Sequence, residues 1–192
     1  MSYKFLYIES KENIKENITT IIEVFQAILT IDKYEIAEDS VIIYYTNAYT
    51  TSIKEVILNL VEDIYIDLRV YESREYKDTH NMLEEIPFIK LKIKEIPFHI
   101  DNYINNKTIL SFNLNKIDNN LKHLVFGNYY NNQEMLKTIK VFLENDQNSS
   151  NSAKELYVHR NTLNQRLDKF INETGFNIKK FQDAFLIYHL LK

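Results

Sequence analysis

Apolar positions along this chain switch between a strand-like period and a helix-like one. Residues 3–8 are rich in aromatic and β-branched side chains and predict a strand. Ile14, Ile18, Ile21, Ile22, Phe25 and Leu29 then recur at helical spacing, predicting a helix over residues 11–29. Residues 34–36 and 41–46 predict two strands joined through Glu38-Asp39-Ser40, a turn composition. Val56, Ile57, Leu60, Val61 and Ile64 define the inner side of a helix over 53–64, with Thr51 or Ser52 as its cap. Residues 66–71 predict another strand. A helix starts at Thr79 and meets a break or kink near Pro87. This order predicts an α/β sandwich with helices on one face of an antiparallel or mixed sheet.

Residues 96–130 carry a less regular pattern. A short strand is expected over 109–114 and a helix over 121–130. Asn131-Asn132 then breaks the chain ahead of a helix at 134–144 that presents Met135, Leu136, Ile139, Phe142 and Leu143. Next come two short helices joined by a tight turn. The first covers about 150–156, with Ser149 or Ser150 as N-cap, and Tyr157-Val158 form the turn. The second starts at His159 or Arg160 and runs to about Glu173, where Gly175 supplies a left-handed cap. A last helix covers about 180–191. The expected fold class is therefore α+β. An N-terminal α/β sandwich, residues 1–130, precedes an all-α helix-turn-helix domain, residues 131–192.

On the second short helix Leu163, Leu167, Phe170 and Ile171 fall at i, i+4, i+7 and i+8, one apolar stripe. Asn161, Gln165, Lys169 and Asn172 occupy the opposite face, with Thr162 beside it and Arg160 and Arg166 flanking the stripe. These side chains suit base edges and phosphates, the layout of a helix that enters a DNA major groove. The residues Ala153-Lys154-Glu155-Leu156, then Val158-His159-Arg160-Asn161-Thr162-Leu163, then Arg166-Leu167 resemble the C-terminal domain of the PucR family of bacterial transcription regulators. The resemblance runs from about Glu134 to Leu191. It implies double-stranded DNA as partner, and the order of the upstream elements resembles a shortened form of that family's degenerate GGDEF-like domain.

Roles follow from the position of each residue on such a helix. His159 and Arg160 lie at the end nearest the bases, and Arg160 suits guanine or a phosphate. Asn161 stands on the groove face. Thr162 suits a thymine methyl or a phosphate, and Gln165 suits adenine. Arg166 and Lys169 suit phosphates, with Ser150 and Ser152 adding phosphate contacts from the first helix. Three positions depart from the family pattern. Ser149 replaces an apolar residue, Asn164-Gln165 an Arg-aromatic pair, and Asp168 a Lys, which sets a carboxylate against the phosphates.

Charge sharpens this picture. The net charge is −4, yet residues 134–192 hold nine basic and seven acidic side chains, so the acidic excess lies upstream. A positive C-terminal part on an acidic chain suits a nucleic-acid partner for that part. Catalytic chemistry finds no motif. Gly127 and Gly175 are the only glycines, and neither precedes a Lys, which excludes a Walker loop and a Gly-Gly-Asp/Glu-Glu-Phe loop. His80, His99, His123, His159 and His189 share no metal-binding spacing and cysteine is absent, so neither a metal nor a cofactor is expected. The adjacent carboxylates Glu38-Asp39, Glu62-Asp63 and Glu84-Glu85 read as solvated turns and helix ends. Tyr44, Tyr45, Tyr49, Tyr65, Tyr71 and Tyr76 read as core and sheet-edge packing. They also suit a cleft for a small planar effector, or a dimer interface. The chain has no run of 18 apolar residues and no signal-peptide pattern at its start, so a cytoplasmic protein without a membrane span is expected. A homodimer held through the N-terminal or middle region completes the reading, because one helix-turn-helix reads too few base pairs to single out a site. The alternative is a protein-interaction module that keeps the helix-turn-helix fold without DNA binding.

Overall fold

A computed structural model describes residues 2–49, 52–64 and 67–192, so Thr51, Tyr65 and the start of the strand expected at Ile66 lie outside the described residues. The chain forms two compact units, residues 1–105 and 106–192.

The N-terminal unit is built on a five-stranded mixed sheet, and its strands are β1 (Lys4–Ser10), β2 (Leu29–Ile36), β3 (Ser40–Ala48), β4 (Leu68–Glu72) and β5 (Tyr103–Ile104). They are ordered β2-β3-β1-β4-β5, antiparallel except for the β4–β5 pair. The expected first helix is shorter than its apolar period. A 3-10 turn at Ile14–Glu16 precedes α1 (Ile18–Ile28), and Leu29 already belongs to β2. Helix α2 (Ile53–Ile64) matches its expected span, and the Ser52 hydroxyl accepts from the Glu55 amide at 3.3 Å.

Alternation along β1 sends Leu6 and Ile8 to one face of the sheet. There they join Ile43, Tyr45, Leu68 and Val70 under Ile21 and Phe25 of α1 and Ile57 and Leu60 of α2. The opposite face was expected to be bare, and it is not. Helix α3 (Thr79–Lys94) lies across it, with the Lys90 ammonium 5.0 Å from the Tyr7 ring and the Glu85 carboxylate accepting from the Tyr76 hydroxyl at 2.7 Å. The sheet is covered on both sides because Phe5, Tyr7, Tyr71 and Tyr76 give its second face an apolar surface too large to leave in water. Pro87 sits inside α3 on its exposed side, so the carbonyl that loses an amide partner faces solvent.

One buried ion pair joins the sheet to α3. Arg69 of β4 donates to Glu9 of β1 through Nε at 2.6 Å and also through Nη2. The same guanidinium donates to the carbonyl of Ile96, just beyond α3, at 2.7 Å and to that of Ile93 in its last turn at 3.1 Å.

The C-terminal unit is helical, comprising α4 (Asn106–Phe112), α5 (Asn119–Phe126), α6 (Gln133–Glu144), α7 (Ser149–Glu155), α8 (Arg160–Thr174) and α9 (Phe181–Leu191). The strand expected over 109–114 is a correction, since α4 takes its place. Asn106, Ile109 and Leu110 are buried at helical spacing, and the Asn113 amide group donates to the Ile109 carbonyl at 2.9 Å. Helix α5 ends on Gly127 at φ 51°, a conformation that glycine adopts without a Cβ penalty.

Candidate nucleic-acid interface

The connection from α6 to α7 is compact and polar. Asp146 and Gln147 have φ of 52° and 60°, and the Gln147 side chain ties the bend down by donating to the Ile178 carbonyl at 2.7 Å. Asn148, rather than Ser149 or Ser150, caps α7. Its side-chain oxygen accepts from the amides of Ser150 at 3.0 Å and Asn151 at 3.1 Å. Asn145 donates to Glu155 at 2.6 Å across the α6–α7 corner. The run Asn145–Asn148 therefore builds the entry to the first short helix.

The turn between α7 and α8 depends on Tyr157. Its φ of 55° reverses the chain, its amide donates to the Lys154 carbonyl at 3.1 Å, and Val158 donates to Ala153 at 3.0 Å. The Tyr157 ring is left 95% exposed at the corner. His159 then caps α8, accepting from the Asn161 amide through Nδ1 at 3.2 Å, a bond that requires Nδ1 to be unprotonated. Leu163, Leu167 and Phe170 are fully buried, and each contributes roughly 1.5–3 kcal/mol by leaving water. Phe170 meets Tyr129 with ring centroids 5.6 Å apart. Gly175 ends the helix at φ 77° with its amide on the Ile171 carbonyl at 2.8 Å, the left-handed cap expected from sequence.

The buried stripe fixes which side of α8 looks outward. Arg160, Asn161, Thr162, Gln165 and Lys169 are all exposed, as are His159 at the cap and Ser150 on α7. All seven are accessible on the α7–α8 pair, with Asn161, Thr162, Gln165 and Lys169 opposite the buried stripe and Arg160 beside it. Ser152 does not join them. It is fully buried and its hydroxyl donates to the Asn148 carbonyl at 2.7 Å, so the phosphate contact expected of it is unavailable. Arg166 is engaged on α6. Its guanidinium pairs with Glu134 at 2.6 Å and donates to the Thr138 hydroxyl at 3.4 Å. Asp168 is offset by Lys179, whose ammonium lies 2.6 Å away, so its charge opposes a phosphate less than the sequence implies. Tyr157 was not singled out from the sequence, because exposure at a turn leaves no periodic signature.

Two short helices meeting at a tight turn, the second anchored by one apolar stripe and polar on its outer face, define a helix-turn-helix domain. Residues 135–192 match the PucR C-terminal helix-turn-helix domain, and the chain carries a domain of that kind. Over 141 residues, 68% of the chain, it is 31% identical to the uncharacterized protein YxkF of Bacillus subtilis (strain 168), covering 46% of that protein. Over 70 residues, 36% of the chain, it is 30% identical to the uncharacterized protein YsfB of the same organism, covering 19% of it. The matches span less than half the length of these relatives. A crystal structure of a regulator of polyketide synthase expression from Bifidobacterium adolescentis aligns with a TM-score of 0.46 and 16% identity, covering 100% of this chain and 80% of that one. Among the described residues no helix is long and apolar enough to cross a membrane, and no three potential ligand side chains converge on a metal position.

Proposed function

We propose that the chain is a DNA-binding transcription regulator that reads sequence through α8 and works as a homodimer. The observation that carries this reading is the outer face of α8. Arg160, Asn161, Thr162, Gln165 and Lys169 are exposed together while Leu163, Leu167 and Phe170 lock the helix from behind. Arg160 and Gln165 are assigned to base edges, and Lys169 and Ser150 to phosphates. The Tyr157 hydroxyl joins the phosphate contacts. Residues 131–192 do the reading, and residues 1–130 serve dimerisation or the sensing of a small-molecule effector.

A second reading, a protein-interaction module, is favoured by one observation: Glu134 already neutralises Arg166, in a region with only two more basic than acidic residues. Mapping of genomic fragments retained by the purified full-length protein, followed by anisotropy titration at two salt concentrations, separates the two. A DNA-binding regulator enriches a two-fold repeat with half-sites about 34–36 Å apart and shows strong salt dependence. No duplex bound at low salt means that the interaction module is correct.

A further inference from the structure

We propose that two copies of the chain join through the outer edge of β2, paired antiparallel about a two-fold axis at Tyr34, so that two five-stranded sheets become one. This inference rests on the homodimer reading and gives it a location. Strand β2 ends the sheet, and no strand among the described residues pairs with its outer side. Residues 32–36 are all exposed, with Tyr34 and Ile36 at 46% and 44%. The opposite end of the sheet is β5, only two residues long. An unpaired edge is a template for another strand; this one pairs regularly with β3 from Lys33 to Ile36, beyond register irregularities at residues 30–33, and Tyr34 and Ile36 give it apolar surface among charged neighbours.

Backbone phase and side-chain charge together select one register. The Ala37 amide bonds to the Ser40 carbonyl at 2.8 Å, closing the β2–β3 hairpin, and the register pairs Glu35 with Ile42 and Lys33 with Tyr44. Antiparallel strands alternate between inward and outward hydrogen-bonding residues. Glu35 and Lys33 therefore bond inward to β3, and Tyr34 and Ile36 turn their amides and carbonyls outward. A symmetric partner strand must respect that phase, which leaves three registers near the centre of the edge. Centred on Lys33, the pairing sets two lysines face to face. Centred on Glu35, it sets two glutamates face to face. Centred on Tyr34, it sets each Lys33 opposite the partner's Glu35, twice by symmetry, and places the two Tyr34 rings side by side. Opposite charges at directly facing positions stabilise a pair of strands, and like charges destabilise it. Within one copy Lys33 and Glu35 already lie on the same face, 2.8 Å apart, so the four charges form a single cluster at the seam.

Charge reversal tests the register without relying on contacts inside one copy. Lys33→Glu faces glutamate with glutamate, and Glu35→Lys faces lysine with lysine. Each variant alone is expected to dimerise roughly tenfold more weakly than wild type, or worse, in sedimentation equilibrium of the full chain. Mixed together, the two variants restore opposite charges at both positions and form a one-to-one heterodimer with affinity near that of wild type. The intrachain pair stays broken in both, so only the interface explains the rescue. Hydrogen exchange supplies the second measurement: the Tyr34 and Ile36 amides gain protection as wild-type protein concentration rises. A wild-type dimer whose single variants associate normally, or whose mixture shows no rescue, overturns the β2 edge and leaves the homodimer standing. A monomeric wild-type chain at micromolar concentration overturns both.

Discussion

The two units place their polar chemistry in opposite ways. The N-terminal unit buries charge: Arg69 and Glu9 are paired inside it, Arg74 meets Glu85 at 2.7 Å, and Tyr45, Tyr71 and Tyr76 are nearly inaccessible. In the C-terminal unit the buried polar groups are mostly neutral and local, such as Ser152 on the Asn148 carbonyl and Thr174 on that of Phe170. Asp183 is the buried charge among the described residues there. Its cations stay out of the core, Arg160 and Lys169 of α8 among them. Charge kept inside joins layers, whereas charge kept outside stays available to a partner. The contrast supports the proposal that the C-terminal unit is the one that meets DNA.

The sharpest way to break the contrast is Arg69→Ala. It leaves Glu9 buried without its cation and removes the donor from the Ile96 carbonyl, an expected loss of about 3–5 kcal/mol. Hydrogen exchange should accelerate throughout residues 1–105, with the amides of α6 to α8 unchanged. Equal acceleration in both units would show that the buried pair does not act locally.

Alkaline pH probes the same difference through the tyrosines. Burial, reinforced by Glu35, pushes Tyr44 up to about 12, and burial raises Tyr7, Tyr45, Tyr71, Tyr76 and Tyr103 further. In the C-terminal unit Tyr129 is raised in the same way. The unfolded chain ionises its tyrosines near pH 10 while the folded chain keeps them neutral. Their contribution is thus complete below about pH 10 and is lost as pH rises towards the folded values. For Tyr44 alone the decline is about 1.4 kcal/mol per pH unit between those limits. Denaturant melts from pH 9 to 12, read by hydrogen exchange, should show the N-terminal unit failing first.

The recognition face should respond to smaller changes. Arg160→Ala or Gln165→Ala is expected to cost roughly 1–3 kcal/mol on the preferred duplex and much less on random DNA. Equal losses on both would reassign these side chains to the backbone. Neither change should alter thermal stability, because both side chains are exposed.

The helix-turn-helix was legible in the sequence because its determinants are local. One stripe from Leu163 to Ile171, one turn and one terminal glycine specify α8 nearly to the residue. The span of α2 was legible for the same reason. What escaped depended on partners distant in sequence. Helix α3 on the second face follows from contacts with Tyr7 and Arg69, which periodicity within α3 does not encode. Residues 109–114 read as a strand because a short apolar run fits either period, and packing decided for the helix. Ser152 looked like a phosphate ligand by type, yet its position on α7 turns it into the core. The ion pair of Arg166 with Glu134 spans 32 positions, beyond the reach of any helical spacing rule.

That ion pair yields the smallest and most specific expectation. Lys169 is exposed and only loosely paired with Glu173 at 4.0 Å, so Lys169→Ala should lower the salt slope of DNA binding by about one unit. Arg166 starts from a different state, because Glu134 and Thr138 already occupy its guanidinium. A phosphate must compete with that carboxylate, so Arg166→Ala should lower the slope by less than Lys169→Ala does. Glu134→Gln removes the competing charge while keeping the size of the side chain. Because the Glu134 side chain is 73% exposed, the pair stabilises the fold by no more than about 1 kcal/mol, and the variant should remain folded. Its expected effect is a few-fold gain in affinity at low salt with a steeper slope, abolished when Arg166→Ala is added. Anisotropy titrations across a salt series measure all four proteins. If Glu134→Gln and Arg166→Ala both leave the slope where it was, Arg166 serves only to fasten α8 to α6, and the DNA-facing charge of the helix reduces to Arg160 and Lys169.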